Sequence, residues 1–244
     1  MNNERMLIGK NIRRFAETGS TNTDLLDMAE TCESGTVLMA DRQTAGRGRL
    51  GRTWTSSGGG LYFSVLFRDV PDLGKFIPFT ALSALAVVRV LSSYLPGGIA
   101  VKWPNDVYVN RRKICGILPE SRVQGETVNA VVGIGINLNN AVAALPDLRH
   151  PAISLKELTG SDVNRDEFLE SLLDQLDVLY AAFSAKGLTP FVSELDSLLF
   201  ARGTVTELRS GNGSQTVIPL GFAPDGALRC YKNGAEVMLS LGEY

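Results

Sequence analysis

Residues 42–60 hold four arginines and six glycines with no carboxylate, and the acid-free stretch continues to Arg68. Glycine lets backbone N–H groups approach an anion closely, and a guanidinium fork pairs with phosphate oxygens two at a time. The segment is suited to closing over a polyanion. Gly46-x-Gly48-x-x-Gly51 satisfies the dinucleotide-binding expression, but residues 52–60 have no helical apolar pattern and lead into another strand, so no helix N-terminus waits for a pyrophosphate. No lysine completes a G-x-x-x-x-G-K-[ST] run either. Phosphate would have to be held by an irregular loop and its side chains.

A second group is Lys102-Trp103-Pro104-Asn105-Asp106, with Arg111, Arg112 and Lys113 behind it. One carboxylate among several cations suits a magnesium nucleotide, because Mg2+ takes one or two carboxylates plus phosphate oxygens. Strand alternation from Lys113 predicts Cys115 and Ile117 on its own face, with Ile114 and Gly116 toward the core. Gly133 and Gly135 interrupt an apolar strand where something comes close, and the amide of Asn137 suits a purine edge. His150 is the only histidine. A Ser-His-Asp triad or a multi-histidine metal site would need that residue, which reads as a loop position beside Pro151.

These residues need a scaffold. Ser20-Thr21-Asn22 offers capping side chains for a short helix through Leu25, Leu26, Met28 and Ala29 that Gly35 stops. Residues 36–40 and 61–67 read as strands, and residues 76–95 as a buried helix. Four further strands follow: residues 100–103, 107–109, 114–118 and 128–138. Their short connections predict a largely antiparallel or mixed sheet. Asn164-x-x-Glu167 opens a helix that Gly187 closes and that covers one face of the sheet. Beyond Arg202, turn signals at residues 210–213, 224–226 and 233–234 separate short strands, as in a small barrel.

Composition narrows the class. With 44% hydrophobic and 20% charged residues the 244-residue chain is ordinary globular protein, neither disordered nor repetitive. Its 24 Lys and Arg against 26 Asp and Glu leave a formal charge of -2, so no global field recommends nucleic acid or an anionic membrane as partner. Three well-separated cysteines without a C-x-x-C pair argue against a disulfide framework, and the polar start has no apolar signal core; both predict a cytoplasmic location. The longest apolar stretch, residues 77–91, is too short for a bilayer and contains Arg89.

GRGRLGRTW, KWPND, RKICGIL and GIGIN, in this order and spacing, resemble the biotin-protein ligase family, from about Phe15 to the end of the chain. The resemblance implies an α+β fold: a mixed, largely antiparallel sheet with helices on one side, of the class II synthetase-like or biotin-lipoate ligase kind, then a small SH3-like barrel. The expected division is residues 1–198 and 199–244. It implies activation of biotin by MgATP to biotinyl-5'-AMP and transfer to a lysine of the biotin carboxyl carrier domain of acetyl-CoA carboxylase or a related carboxylase. Ser20, Thr21, Asn22 and Gln43 match positions lining the biotin pocket. Gly46, Arg47, Gly48 and Arg49 match the loop over biotin and adenylate, and Gly116 a neighbouring biotin contact. Arg52, Trp54, Lys102, Asn105 and Asn137 match nucleotide positions. Lys113 matches the lysine between biotin carboxylate and α-phosphate, and Asp106 is the candidate for orienting Mg2+ or the acceptor amine, so that Lys113, Arg49 and Asp106 form the expected catalytic set.

Two departures stand out: many family members have Pro and Asn where this chain has Ser57 and Gly60, and many begin with a winged helix for which the residues before Phe15 are too few. The expectation is a monofunctional enzyme, with a homodimer through an exposed sheet edge. The competing readings are a lipoate-protein ligase of the same fold and a biotin-responsive regulator without catalysis.

Overall fold

The computed structural model describes residues 5–70, 76–142, 151–210 and 213–240. His150 and residues 211 and 212 of the predicted turn lie outside them. Seven strands form one sheet in the order β1-β2-β3-β7-β6-β5-β4: β1 (Ile12–Thr18), β2 (Val37–Gln43), β3 (Leu61–Phe67), β4 (Ile99–Lys102), β5 (Asp106–Val109), β6 (Arg112–Gln124) and β7 (Thr127–Ile136). β1 and β2 are parallel and the other ladders antiparallel, the mixed sheet that the short connections predict.

Every residue of β3 is buried, and alternation shows why. Phe63, Val65 and Phe67 face a large core with Val37, Met39, Val132 and Ile134. Leu66 points the other way, into a second cluster with Leu38, Val131, Leu25, Leu26 and Ala29. Two helices, α2 (Phe76–Leu91) and α4 (Arg165–Lys186), cover the first face, while α1 (Thr21–Asp27) covers the second. The resemblance implied helices on one side; at the β2–β3–β7 end this chain has them on both. Each fully buried Leu, Val or Phe contributes about 1.5–3 kcal/mol, so the doubly covered strands are the rigid part.

Helix ends follow their caps unequally. Asn164 accepts from the backbone N–H groups of Asp166 and Glu167, and Gly187 closes α4 at φ 65°, as the sequence predicts. α2 stops at Leu91, four residues before the predicted end, although Leu95 still reaches the core. α1 ends at Asp27, well before Gly35, and Ser20 makes no side-chain cap. The side chains of Thr21 and Asn22 are committed elsewhere.

After α3 (Leu155–Thr159), α4 and α5 (Val192–Leu198), four strands form an antiparallel sheet: β8 (Thr206–Ser210), β9 (Gly213–Phe222), β10 (Leu228–Lys232) and β11 (Ala235–Leu239). The left-handed pair Asn233 (φ 51°) and Gly234 (φ 86°) makes the turn between the last two. The sheet is bound to α5 by buried Asp196, which accepts from Phe222 N at 2.6 Å and pairs with Arg229 at 3.2 Å.

Candidate active site

At the start of α1, side chains that could cap a helix instead build a polar cluster. Thr21 donates through its backbone N–H and its hydroxyl to Gln43 Oε1, at 2.9 and 3.1 Å, and Gln43 Nε2 donates to Ser56 Oγ at 2.8 Å. Ser64 donates to Asn22 Oδ1 at 2.5 Å and lies 2.8 Å from Thr21 Oγ1. Ser64 is wholly buried and absent from the expected site. A lone serine within the apolar run of β3 was the signal that could have found it, since a buried hydroxyl requires a partner. Gly133 lies opposite: a Cβ there would run into the Asn22 amide.

The arginine loop is a narrow hairpin. Trp54 N donates to Gly46 O at 2.9 Å and Gly48 N to Arg52 O at 2.7 Å, and the chain reverses at Arg49–Gly51 with Leu50 at φ 55°. A Cβ on Gly46 would strike the Trp54 carbonyl. Gly60, which with Ser57 makes up the loop departure noted in the sequence, is explained similarly: the Tyr62 phenol occupies the space of its Cβ and donates to Ser57 O at 2.8 Å. Arg47 forms an ion pair with Glu120 at 2.7 Å, and Arg49 donates to Asn105 Oδ1 at 3.3 Å.

Trp54 lies on a floor of two glycines. Gly116 and Gly135 are register partners in β6 and β7, and a Cβ on either would come within 2.9 or 2.7 Å of the indole. The Trp54 Nε1 donor is buried and has no hydrogen-bond partner among the described residues. Lys113 Nζ stands 5.3 Å from the ring centroid and 2.7 Å from Asp106 Oδ1, an ion pair without hydrogen-bond alignment.

Here alternation misleads. Tyr108 pairs with Lys113 but Val107 with Cys115, so Ile114 is an extra residue in β6. That bulge brings Lys113 and Gly116 to the cavity side and leaves both Ile114 and Cys115 in the core, the reverse of the expected facing for Gly116 and Cys115. Burial, reinforced by the charge of Asp106, pushes the Cys115 thiol well above its ordinary value. The Tyr108 phenol is raised for the same two reasons, and Lys102 Nζ donates to it at 3.2 Å. Asn105 Nδ2 donates to Ile117 O at 2.8 Å, and the buried Asn137 accepts from Asn140 at 3.0 Å.

One cavity of about 220 Å3 joins these parts. Of the expected site residues, Ser20, Thr21, Asn22, Gln43, Arg47, Gly48, Arg49, Arg52, Trp54, Lys102, Asn105, Asp106, Lys113, Gly116 and Asn137 line it, while Gly46 acts behind it through Trp54. Phe63, Ile134, Val142 and Ala152 supply apolar wall that the motifs did not indicate. Among the described residues no group of three His, Cys, Asp or Glu side chains could hold a metal. A divalent cation would therefore have to enter on a polyphosphate, with Asp106 as the carboxylate lining the cavity. No helix among the described residues is long and apolar enough to cross a membrane.

The model of the biotin/lipoate A/B protein ligase family matches residues 15–137. Among curated relatives, the bifunctional ligase/repressor BirA of Bacillus spizizenii is 35% identical over 197 residues, which cover 80% of this chain and 61% of that one. The chain thus spans less than two thirds of that relative. The biotin–[acetyl-CoA-carboxylase] ligase of Paracoccus denitrificans is 33% identical, over 88% of this chain and 91% of the other. The solved biotin protein ligase of Aquifex aeolicus in complex with biotin and ATP superposes with a TM-score of 0.82 at 32% identity, covering 96% and 97% of the two chains. The match over half of the sequence, and the similarity over nearly the whole length of the Paracoccus relative, show that this chain belongs to the biotin/lipoate A/B protein ligase family.

Proposed function

We propose that the chain is a biotin-protein ligase. The observation that carries this reading is the single cavity running from the Thr21–Gln43 cluster to Lys113, Asp106 and Arg49. A ureido ring needs a donor and acceptors at one end, and a carboxylate meeting ATP needs cations at the other. In the first step a biotin carboxylate oxygen forms a bond to the α-phosphorus, the bond to the bridging oxygen breaks, and pyrophosphate leaves with the electron pair. Lys113 and Arg49 stabilise the charge shared between carboxylate and phosphate. Arg52, Lys102, Asn105, Asn137 and the Trp54 indole hold the nucleotide, and Gly48 the loop above it. Asp106 would be the carboxylate available to a Mg2+ carried on ATP, which would supply charge neutralisation on the phosphates, or would orient the incoming amine.

In the second step a lysine amine of a carboxylase biotin carrier domain attacks the mixed anhydride and AMP departs. The two Asp106 roles differ in the step they serve. Residues 1–198 form the catalytic unit in this reading and 199–244 the SH3-like appendage; the location is cytoplasmic, in keeping with three buried free cysteines. A homodimer through a sheet edge belongs to the same reading. Pyrophosphate release with ATP and either biotin or lipoate decides the substrate: release with biotin alone is expected, release only with lipoate overturns the choice, and none with either removes the enzyme.

A further inference from the structure

Glu120 lies outside the cavity wall, yet it touches both halves of the site. Its Oε2 accepts from Asn22 Nδ2 at 2.7 Å and from Arg47 at 2.7 Å. The first contact is rigid. Asn22 is buried, donates also to Leu118 O at 3.1 Å, and accepts from Ser64. The second contact is to a hairpin loop that Arg49 also ties to Asn105 but that buries little apolar surface at its tip. Leu50, the one large aliphatic side chain between Ala45 and Thr53, is 79% exposed, and Gly46, Gly48 and Gly51 leave the backbone costly to order.

We propose that Glu120 is a positioning residue: anchored on Asn22, its carboxylate holds Arg47 in the closed pose before the anion arrives. The proposal takes its substrate from the ligase reading, but its geometry stands without it. An isolated ion pair with side chains 44% and 29% exposed contributes little to stability. Glu120 differs from such a pair in that one partner cannot move, so the interaction narrows the positions open to the loop. Part of the ordering cost of binding is then met in the free protein. The same carboxylate sits beside the amide that Thr21 and Ser64 position, so the pocket and its cover are set by one oxygen. Alternation along β6 puts Glu120 on the face of Gly116 and Leu118, above the floor on which Trp54 rests.

Tryptic digestion of the full chain without substrate reads loop opening, because cleavage after Arg47, Arg49 or Arg52 requires it. Glu120→Gln should speed those cuts roughly three- to fivefold, the effect of losing a partly exposed ion pair, with the melting temperature unchanged. The KM for biotin in pyrophosphate release should rise by a similar factor while kcat at saturating biotin holds, since saturation restores the closed loop. Equal cleavage of parent and variant overturns the proposal. Faster cleavage throughout the chain with a lower melting temperature also overturns it, by showing a general structural role. If neither protein releases pyrophosphate, the ligase reading is what has failed, and the ratio of loop cleavage still decides the role of Glu120.

Discussion

Trp103 donates its indole N–H to the carbonyl of Gly226 across 3.0 Å, in a fully buried contact between the segment that bears Asp106 and the turn joining β9 to β10. A second link runs beside it. Phe200 N donates to Val101 O at 2.9 Å, and the Phe200 ring lies 5.8 Å from Lys102 Nζ. Lys102, a candidate nucleotide residue, and its neighbour Trp103 are therefore braced by chain that follows α5.

The first prediction concerns that brace. Trp103→Phe keeps an aromatic ring in the core but leaves the Gly226 carbonyl without its donor, a loss of about 1–3 kcal/mol in stability. The KM for ATP should rise several-fold while the KM for biotin stays, because Trp103 adjoins Lys102, whereas the Thr21–Gln43 cluster is built by α1 and β2. Urea unfolding and initial rates of pyrophosphate release measure both. An unchanged KM for ATP would mean that the terminal sheet does not position the site.

Lys113 and Asp106 form the second test. Lys113→Ala removes a cation and leaves a carboxylate whose side chain is only 16% exposed without its partner. Adenylate formation should fall by at least about a hundredfold in kcat, the usual cost of removing a group that acts on transition-state charge, with a smaller change in biotin affinity. Asp106→Asn separates the two roles: a metal role slows the first step and recovers partly at high Mg2+, whereas an amine role spares that step and slows transfer to the carrier lysine. Normal rates in both steps would remove Asp106 from the site.

What the sequence made legible follows from where local pattern decides. β3 and the N-terminus of α4 stand where periodicity and capping place them. α1 begins without the side-chain cap that its first residues offer, because Thr21 and Asn22 are engaged by Gln43 and Ser64 of β2 and β3, a tertiary matter invisible along the chain. The facing of Gly116 and Cys115 depends on one extra residue in β6, which strict alternation has no means of showing. Motifs located the cations because their density is unusual. Glu120 carries no such mark, since a single acid within a strand is common and acquires meaning only through Asn22 and Arg47.

A third prediction follows from protons held by burial. Cys230 is pushed up from 9.0 to about 11 and the Tyr62 phenol from 10.0 to about 12, and Cys115 is raised as well. The unfolded chain releases these protons at lower pH than the folded one. Their contribution is thus complete below about pH 9 and is lost as pH rises through the folded values, with a limiting slope of about 1.4 kcal/mol per pH unit for each group. Denaturant midpoints at about pH 8 and about pH 10.5 should show the fall, and Cys230→Ala should make it shallower. A flat profile would contradict the burial of these groups.

The last prediction uses the glycine floor to separate space from stability. Gly135 lies in a β-strand, where alanine gains about 0.5–1 kcal/mol over glycine in chain entropy, which offsets part of the roughly 1–3 kcal/mol that crowding costs, so Gly135→Ala should lower stability by no more than about 2 kcal/mol. Its Cβ, however, would stand 2.7 Å from the Trp54 indole, nearer than side chains approach one another. The ring must lift, taking with it the unpartnered Nε1 and the ring face near Lys113 Nζ. The KM for ATP should increase by about tenfold, equivalent to about 1.4 kcal/mol of lost binding, because the displaced ring no longer meets the nucleotide. Adding Trp54→Phe, whose smaller ring leaves room for the methyl group, should recover part of the loss, so the two substitutions should be less damaging together than their separate effects imply. If Gly135→Ala binds ATP like the parent, Trp54 does not rest on this floor when the nucleotide is bound, and its place in the nucleotide site is lost.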